Sequence, residues 1–146
     1  MNDDDTAASR HSDPLNQNHV PVAFVALYTE PGRTKPSLSR SDLLERHALC
    51  EDMAQMLTEH TATLQFSHHL HEAETLRRVL QGLLAQSEAP QAAPLQPLEA
   101  LWVVCRLAEL LGWALPNRLT ESMGMAGGTG MESRAQAWLA QATAQR

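Results

Sequence analysis

Lysine is all but missing from this chain. Lys35 stands alone beside ten arginines. Aromatic residues are nearly as scarce, at 4% of 146 residues. A core must therefore be built mainly from Leu, Val, Ala and Met. No apolar run approaches the roughly 20 residues a membrane helix needs. The opening stretch, MNDDDTAASRHSDP, lacks the basic and apolar regions of a secretory signal, so the expected compartment is the cytoplasm. The two cysteines, Cys50 and Cys105, each fall inside a helical pattern. In a reducing compartment they are expected to be buried free thiols. Net charge is −6, and no basic face of the kind that holds nucleic acid is evident. A length of this order makes one domain with one modest core.

Residues 1–19 are polar and carry Asp3, Asp4 and Asp5 in a row, which predicts a disordered tail. In VPVAFVALYTEPGR, Pro21, Phe24, Leu27 and Tyr28 repeat at helical spacing, with a short strand as the competing reading. Glu30-Pro31-Gly32 marks a turn. A first long helix follows Ser39, with Asp42 completing a capping box. Leu43, Cys50, Met53, Ala54, Leu57 and Leu64 line one broad side of it, and Leu49 and Met56 widen that side. Thr61, Thr63 and Ser67 predict its end near residue 62. A second helix is expected over 72–86 with Ala73, Leu76, Leu80, Leu83 and Leu84 inward. Glu74 should pair with Arg77 or Arg78 on its flank. SEAPQAAPLQP reads as a linker. Pro97 suits the first turn of a third helix, with Gly112 as its C-cap. That helix, LEALWVVCRLAELLG, is apolar almost all round. Leu101, Cys105 and Ala108 are expected to pack against Leu57 and Leu80. The segment 115–146 is predicted to be mobile, with a short helix over 133–144 anchored by Trp138 and Leu139.

Phe24–Tyr28 (Phe-x-Ala-Leu-Tyr), Pro31–Arg33 (Pro-Gly-Arg), Leu49–Asp52 (Leu-Cys-Glu-Asp) and Leu107–Trp113 (Leu-Ala-Glu-Leu-Leu-Gly-Trp) together resemble a family of small uncharacterised bacterial proteins. The resemblance covers roughly two-thirds of the chain and implies an all-helical domain. Some members carry the label of an ATPase with chaperone activity. A P-loop needs a Gly-rich turn that ends in Gly-Lys-Ser/Thr. GMAGGTGMES supplies glycines and no lysine, and reads as a linker.

Ser67-His68-His69-Leu70-His71-Glu72 raises the question of a metal. Zinc takes four N, S or O ligands, or three with an open position. His60, His68 and His71 are the candidate set, but neither HExxH nor paired CxxC accompanies them. Cys50 lies three residues from His47, close enough on a helix for a base to touch the thiol. It lies on the apolar side of its helix, however, where a buried thiol is inert. Arg77 and Arg78 on the second helix do not make a helix-turn-helix reader, given the acidic balance and the long connection that follows.

The sequence predicts an all-α protein: a three-helix core over 20–114 with a docked N-terminal arm. The expected function is a non-enzymatic interaction or regulatory role. It would act through a protein partner or a second copy of the chain, with no cofactor, nucleic acid or membrane. The alternative is a metal sensor or metal-dependent enzyme using zinc at the histidines. Glu99, Trp102, Arg106, Glu109 and Trp113 form the one strip of the third helix that is not aliphatic, with the composition of a binding hot spot. Arg106 is placed to stack on Trp102. The strip also suits the arm, with Phe24 and Tyr28 laid across the tryptophans.

Overall fold

In the computed structural model, residues 20–30, 32–87, 95–116, 119–120, 123 and 129–144 are described. Five helices account for most of them: α1 (Val22–Ala26), α2 (Arg40–His68), α3 (Glu72–Ser87), α4 (Pro97–Leu111) and α5 (Thr129–Ala144). The protein is all-α, and α1 settles the choice between helix and strand in the arm. The tail 1–19, the linker 88–94 and the glycines of 124–128 lie outside the described residues. No helix among the described residues is long and apolar enough to cross a membrane.

Helix α4 is the hub. Leu98, Ala100, Leu101, Trp102, Val103, Val104, Leu107 and Ala108 are all buried within the single chain. One side packs on α2 and another on α3. The arm covers a third through Phe24 and Tyr28. Its nearly continuous apolar circumference is thus covered without a second copy. Pro97 occupies its first turn, where a missing N–H costs nothing. Gly112 ends it at φ 75°, and the Trp113 amide reaches back to Ala108 O at 2.9 Å. Leu80 of α3 is buried in the same cluster, whereas Cys105 and Leu57 are only half-buried against it. On α3, Leu76, Val79, Leu83 and Leu84 face inward, and Glu74 pairs with both Arg77 and Arg78.

Helix α2 departs from its sequence reading. Ser39 Oγ caps Asp42 N at 3.1 Å as expected, but the helix runs on to His68 instead of ending near 62. The Thr-Ala-Thr stretch lowers propensity by only tenths of a kcal/mol per residue and does not stop the helix; Thr61 is fully buried, with its hydroxyl unpaired. Met56, expected inward, is 71% exposed, and Phe66 is 81% exposed. Phe66 lies on the added turns, whereas Met56 falls inside the expected helix, on its exposed side.

The end of α2 is a Schellman turn: Leu70 N donates to Gln65 O and His69 N to Phe66 O. The turn needs a left-handed residue, and His69 supplies it at φ 52°, ψ 44°.

Helix α5 begins at Thr129, four residues earlier than the pattern predicted, and takes up part of the stretch read as a linker. Ala135 and Trp138 are buried, as are Leu119 and Met123 before it. The packed body therefore extends past residue 114. Helix α5 packs on α1.

A left-handed residue with a Cβ is strained by about 1–2 kcal/mol, and glycine gives back part of that in unfolded-state entropy. His69→Gly is expected to stabilise the chain by about 0.5–1 kcal/mol, read as a higher urea midpoint with an unchanged slope.

Candidate functional site

The arm and the start of α4 meet around one carboxylate. Glu99 lies in the first turn of α4 and is 1% exposed. Its Oε1 accepts from Gln96 N at 2.8 Å and from Arg46 Nη2; its Oε2 accepts from Arg46 Nε at 2.8 Å and from the Tyr28 hydroxyl. Four donors fill the roughly four lone-pair positions a carboxylate offers. They come from the arm, from α2 and from the N-terminus of α4 itself, where the helix dipole also favours a negative charge.

The chemistry of the neighbours follows from this charge. Burial raises the Tyr28 phenol above its ordinary value, and the hydrogen bond to Glu99 and its negative charge add to the rise. The Arg46 guanidinium is held more firmly protonated by its hydrogen bonds to Glu99. Burial pushes the Cys50 thiol up to about 12, with the Glu99 charge contributing. His47 is half-buried and holds its ring edge-on to Phe24 and Trp102, at centroid distances of 5.2 and 5.4 Å. Cys50 is therefore a neutral buried thiol one turn from an imidazole already packed between aromatic rings.

Phe24 is the anchor of the arm. It is fully buried and meets Trp102 edge-to-face at 5.2 Å, and Tyr28, in the turn just past α1, lies 5.5 Å away. Such pairs add about 0.5–1.5 kcal/mol beyond the area they bury. Trp102 is 7% exposed. The first half of the α4 strip is thus the seat of the arm: Phe24 lies on Trp102 as one of the two sequence readings had it, whereas Tyr28, expected across the tryptophans, bonds to Glu99.

The second half of the strip points elsewhere. Arg106 Nε donates to both oxygens of Glu51 on α2, at 2.9 and 3.1 Å, and Nη1 to Glu109 at 3.0 Å. The guanidinium expected over Trp102 is directed to these carboxylates. Trp113, past the C-cap of α4, is half-buried against the core.

Beside the seat is a cleft of about 560 Å³, within the size range of small-molecule sites. Leu27 and Tyr28 of the arm, Leu38, Arg46 of α2, Leu98 of α4 and Met131 and Arg134 of α5 line it. Both of its guanidiniums have carboxylate partners: Arg46 has Glu99, and Arg134 has Glu30 at 3.6 Å. Asp42 and Glu45 also line it, so four carboxylates, with Glu30 and Glu99, face two guanidiniums and the cleft is net acidic.

The histidines do not gather. Because α2 continues through 68, His60 and His68 are separated by eight residues of helix, roughly 12 Å of axial rise. His71 lies past the left-handed turn at His69. All three are exposed, and His68 Nδ1 lies 3.3 Å from Leu64 O. Among the described residues no group of three or more His, Cys, Asp or Glu could hold a metal ion.

Sequence reasoning placed Glu99 on the strip but missed its role. The one available signal was its position, three residues after Gln96 at a helix start, where a glutamate reaches back to cap. Nothing in the sequence tied it to Arg46 or Tyr28, which are 53 and 71 residues away.

Two measurements test this geometry. Burial alone would raise the Glu51 carboxyl, but hydrogen bonds from Arg106 and Gln55 outweigh it and hold the group below its ordinary value of 4.5. A carboxylate held low in the fold adds stability above its unfolded pKa and loses it as pH falls through the folded value. Glu51→Gln should therefore flatten the loss of stability on acidification below pH 4.5, in urea titrations across a pH series. Zinc at micromolar concentration is expected to leave the melting temperature unchanged; a rise would show that the separated histidines converge on an ion.

Set against known protein families, curated proteins and solved structures, the chain matches none.

Proposed function

We infer that the protein is a non-enzymatic helical module that acts by binding another protein, and that the seat of its arm is the surface it uses. The observation that carries this reading is the construction of the arm. Helix α1 has only five residues, too few to be stable alone in water. It is joined to α2 by a connector whose side chains are mostly exposed. Its hold on α4 rests on a Phe24 ring in an aromatic slot and a Tyr28 hydroxyl on Glu99. A short amphipathic turn lying in a groove through one aromatic anchor is the arrangement by which partner helices are captured. A partner segment with an aromatic residue followed three and four residues later by Leu and Tyr would meet the same slot and the same carboxylate. Two groups at the seat are already committed: the Glu99 oxygens are saturated, and burial keeps the Cys50 thiol neutral at physiological pH.

The test is exchange in trans. A synthetic peptide spanning residues 20–30 is titrated into full-length protein carrying Phe24→Ala, with Trp fluorescence as readout. Saturable binding with a shift of emission to shorter wavelength is expected. Wild-type protein should bind the peptide at least about tenfold more weakly, because its own arm competes at an effective concentration on the order of mM. No saturable binding to the variant would overturn the reading.

A further inference from the structure

The carbonyls of the arm reveal how it is held from the far side. Buried or half-buried backbone acceptors need donors, and a one-turn helix supplies few. Pro21 O accepts from the Phe24 and Val25 amides, Phe24 O from Leu27, Val25 O from Tyr28, and Ala26 O from Thr29. The last turn is thus tightened to bonds three residues back. Tyr28 O takes the Ser37 amide of the connector at 2.8 Å. Ala23 O and Leu27 O, at the two ends of the arm, are met by side chains of α5. Trp138 Nε1 donates to Ala23 O at 2.7 Å, and Arg134 Nη2 to Leu27 O at 3.1 Å. Arg134 also faces Glu30, just past the arm.

These two donors lie four residues apart on α5, so they share one face. Between them on that face lies Ala135, fully buried and small enough to let the two helices approach. Trp138 is 6% exposed. The arm is therefore held on two sides, by α4 through side chains and by α5 through its own backbone. The packing of α5 on the bundle runs chiefly through the arm.

We propose that α5 is an intramolecular strap that decides whether the arm stays on its seat, so that whatever draws α5 away also opens the Trp102 slot. This deepens the interaction reading above and rests on it for its purpose, since it names how access to that seat is regulated. The two hydrogen bonds formed by α5 go to main-chain carbonyls, and only the Arg134–Glu30 pair depends on a side chain. A partner segment replacing the arm would present the same carbonyls, so the strap can close over either. Coupling of this kind is reciprocal: loosening α5 frees the arm, and loosening the arm frees α5.

Amide hydrogen exchange on the full-length protein tests it. Trp138→Phe keeps a ring in place and removes the donor to Ala23 O. Arg134→Gln removes the donor to Leu27 O and the charge facing Glu30. Each should raise exchange at the Phe24, Val25, Leu27 and Tyr28 amides by about tenfold, the loss of one backbone-directed bond. The Val103 and Leu107 amides in the middle of α4 should keep their protection. In the reciprocal variant, Phe24→Ala, exchange should rise through residues 135–142 of α5. Unchanged arm exchange in both α5 variants would overturn the proposal. So would a parallel rise in the arm and in α4, because α5 would then only add to global stability. Exchange reads the arm directly and needs no peptide, so this result stands or falls separately from the titration of the seat.

Discussion

A single buried charge organises the assembly. Taking a carboxylate out of water costs several kcal/mol unless its hydrogen bonds are replaced. Glu99 is 1% exposed, and its donors come from three separate parts of the chain. The arm can dock only where the Tyr28 hydroxyl reaches Oε2, and α2 can lie along α4 only in the register that brings Arg46 to both oxygens. The apolar residues around it supply most of the burial, but leucines and alanines tolerate sliding and rotation. The carboxylate does not, because a displaced partner leaves a charge buried with a missing bond.

The scarcity of aromatic residues gives the few present a concentrated role. Phe24, Tyr28 and Trp102 gather with His47 on one side of α4, and Trp138 closes over the arm from the other. The rest of the core is aliphatic. An edge-to-face cluster has preferred angles that an aliphatic contact lacks, so the arm is held in one orientation despite its single turn. The C-terminal helix adds the same kind of precision through donors to the backbone. The arm and α5 thus form one structural unit layered on α2, α3 and α4.

The helical class, the starts of α2 and α4, the inward face of α3 and the C-cap at Gly112 were all legible, because each depends on local rules. A Ser caps the amide three residues on, a Pro fits a first turn, and a Gly takes a left-handed end. Docking of Phe24 on the α4 strip was legible too, through Trp102, but the reach of Tyr28 to Glu99 was not. The length of α2 was not. Thr61 and Thr63 lower helix propensity by only tenths of a kcal/mol each, too little to end a helix whose stop is the left-handed turn at His69. The missed turns also changed the fate of the histidines, because a helix through 68 separates the residues a turn at 62 would have left free to converge.

What the sequence determined by itself is an all-helical chain with an aromatic arm and one helix apolar on nearly every side. These follow from spacing and composition, which are local. Only the tertiary structure decided that Glu99 would be a saturated internal charge and that Arg106 would turn to Glu51. It also decided that α5 would close on the carbonyls of the arm. Each of those facts joins residues tens of positions apart. Their energy comes from removing polar groups from water in a shared interior, so no pattern along the chain records which of them will meet.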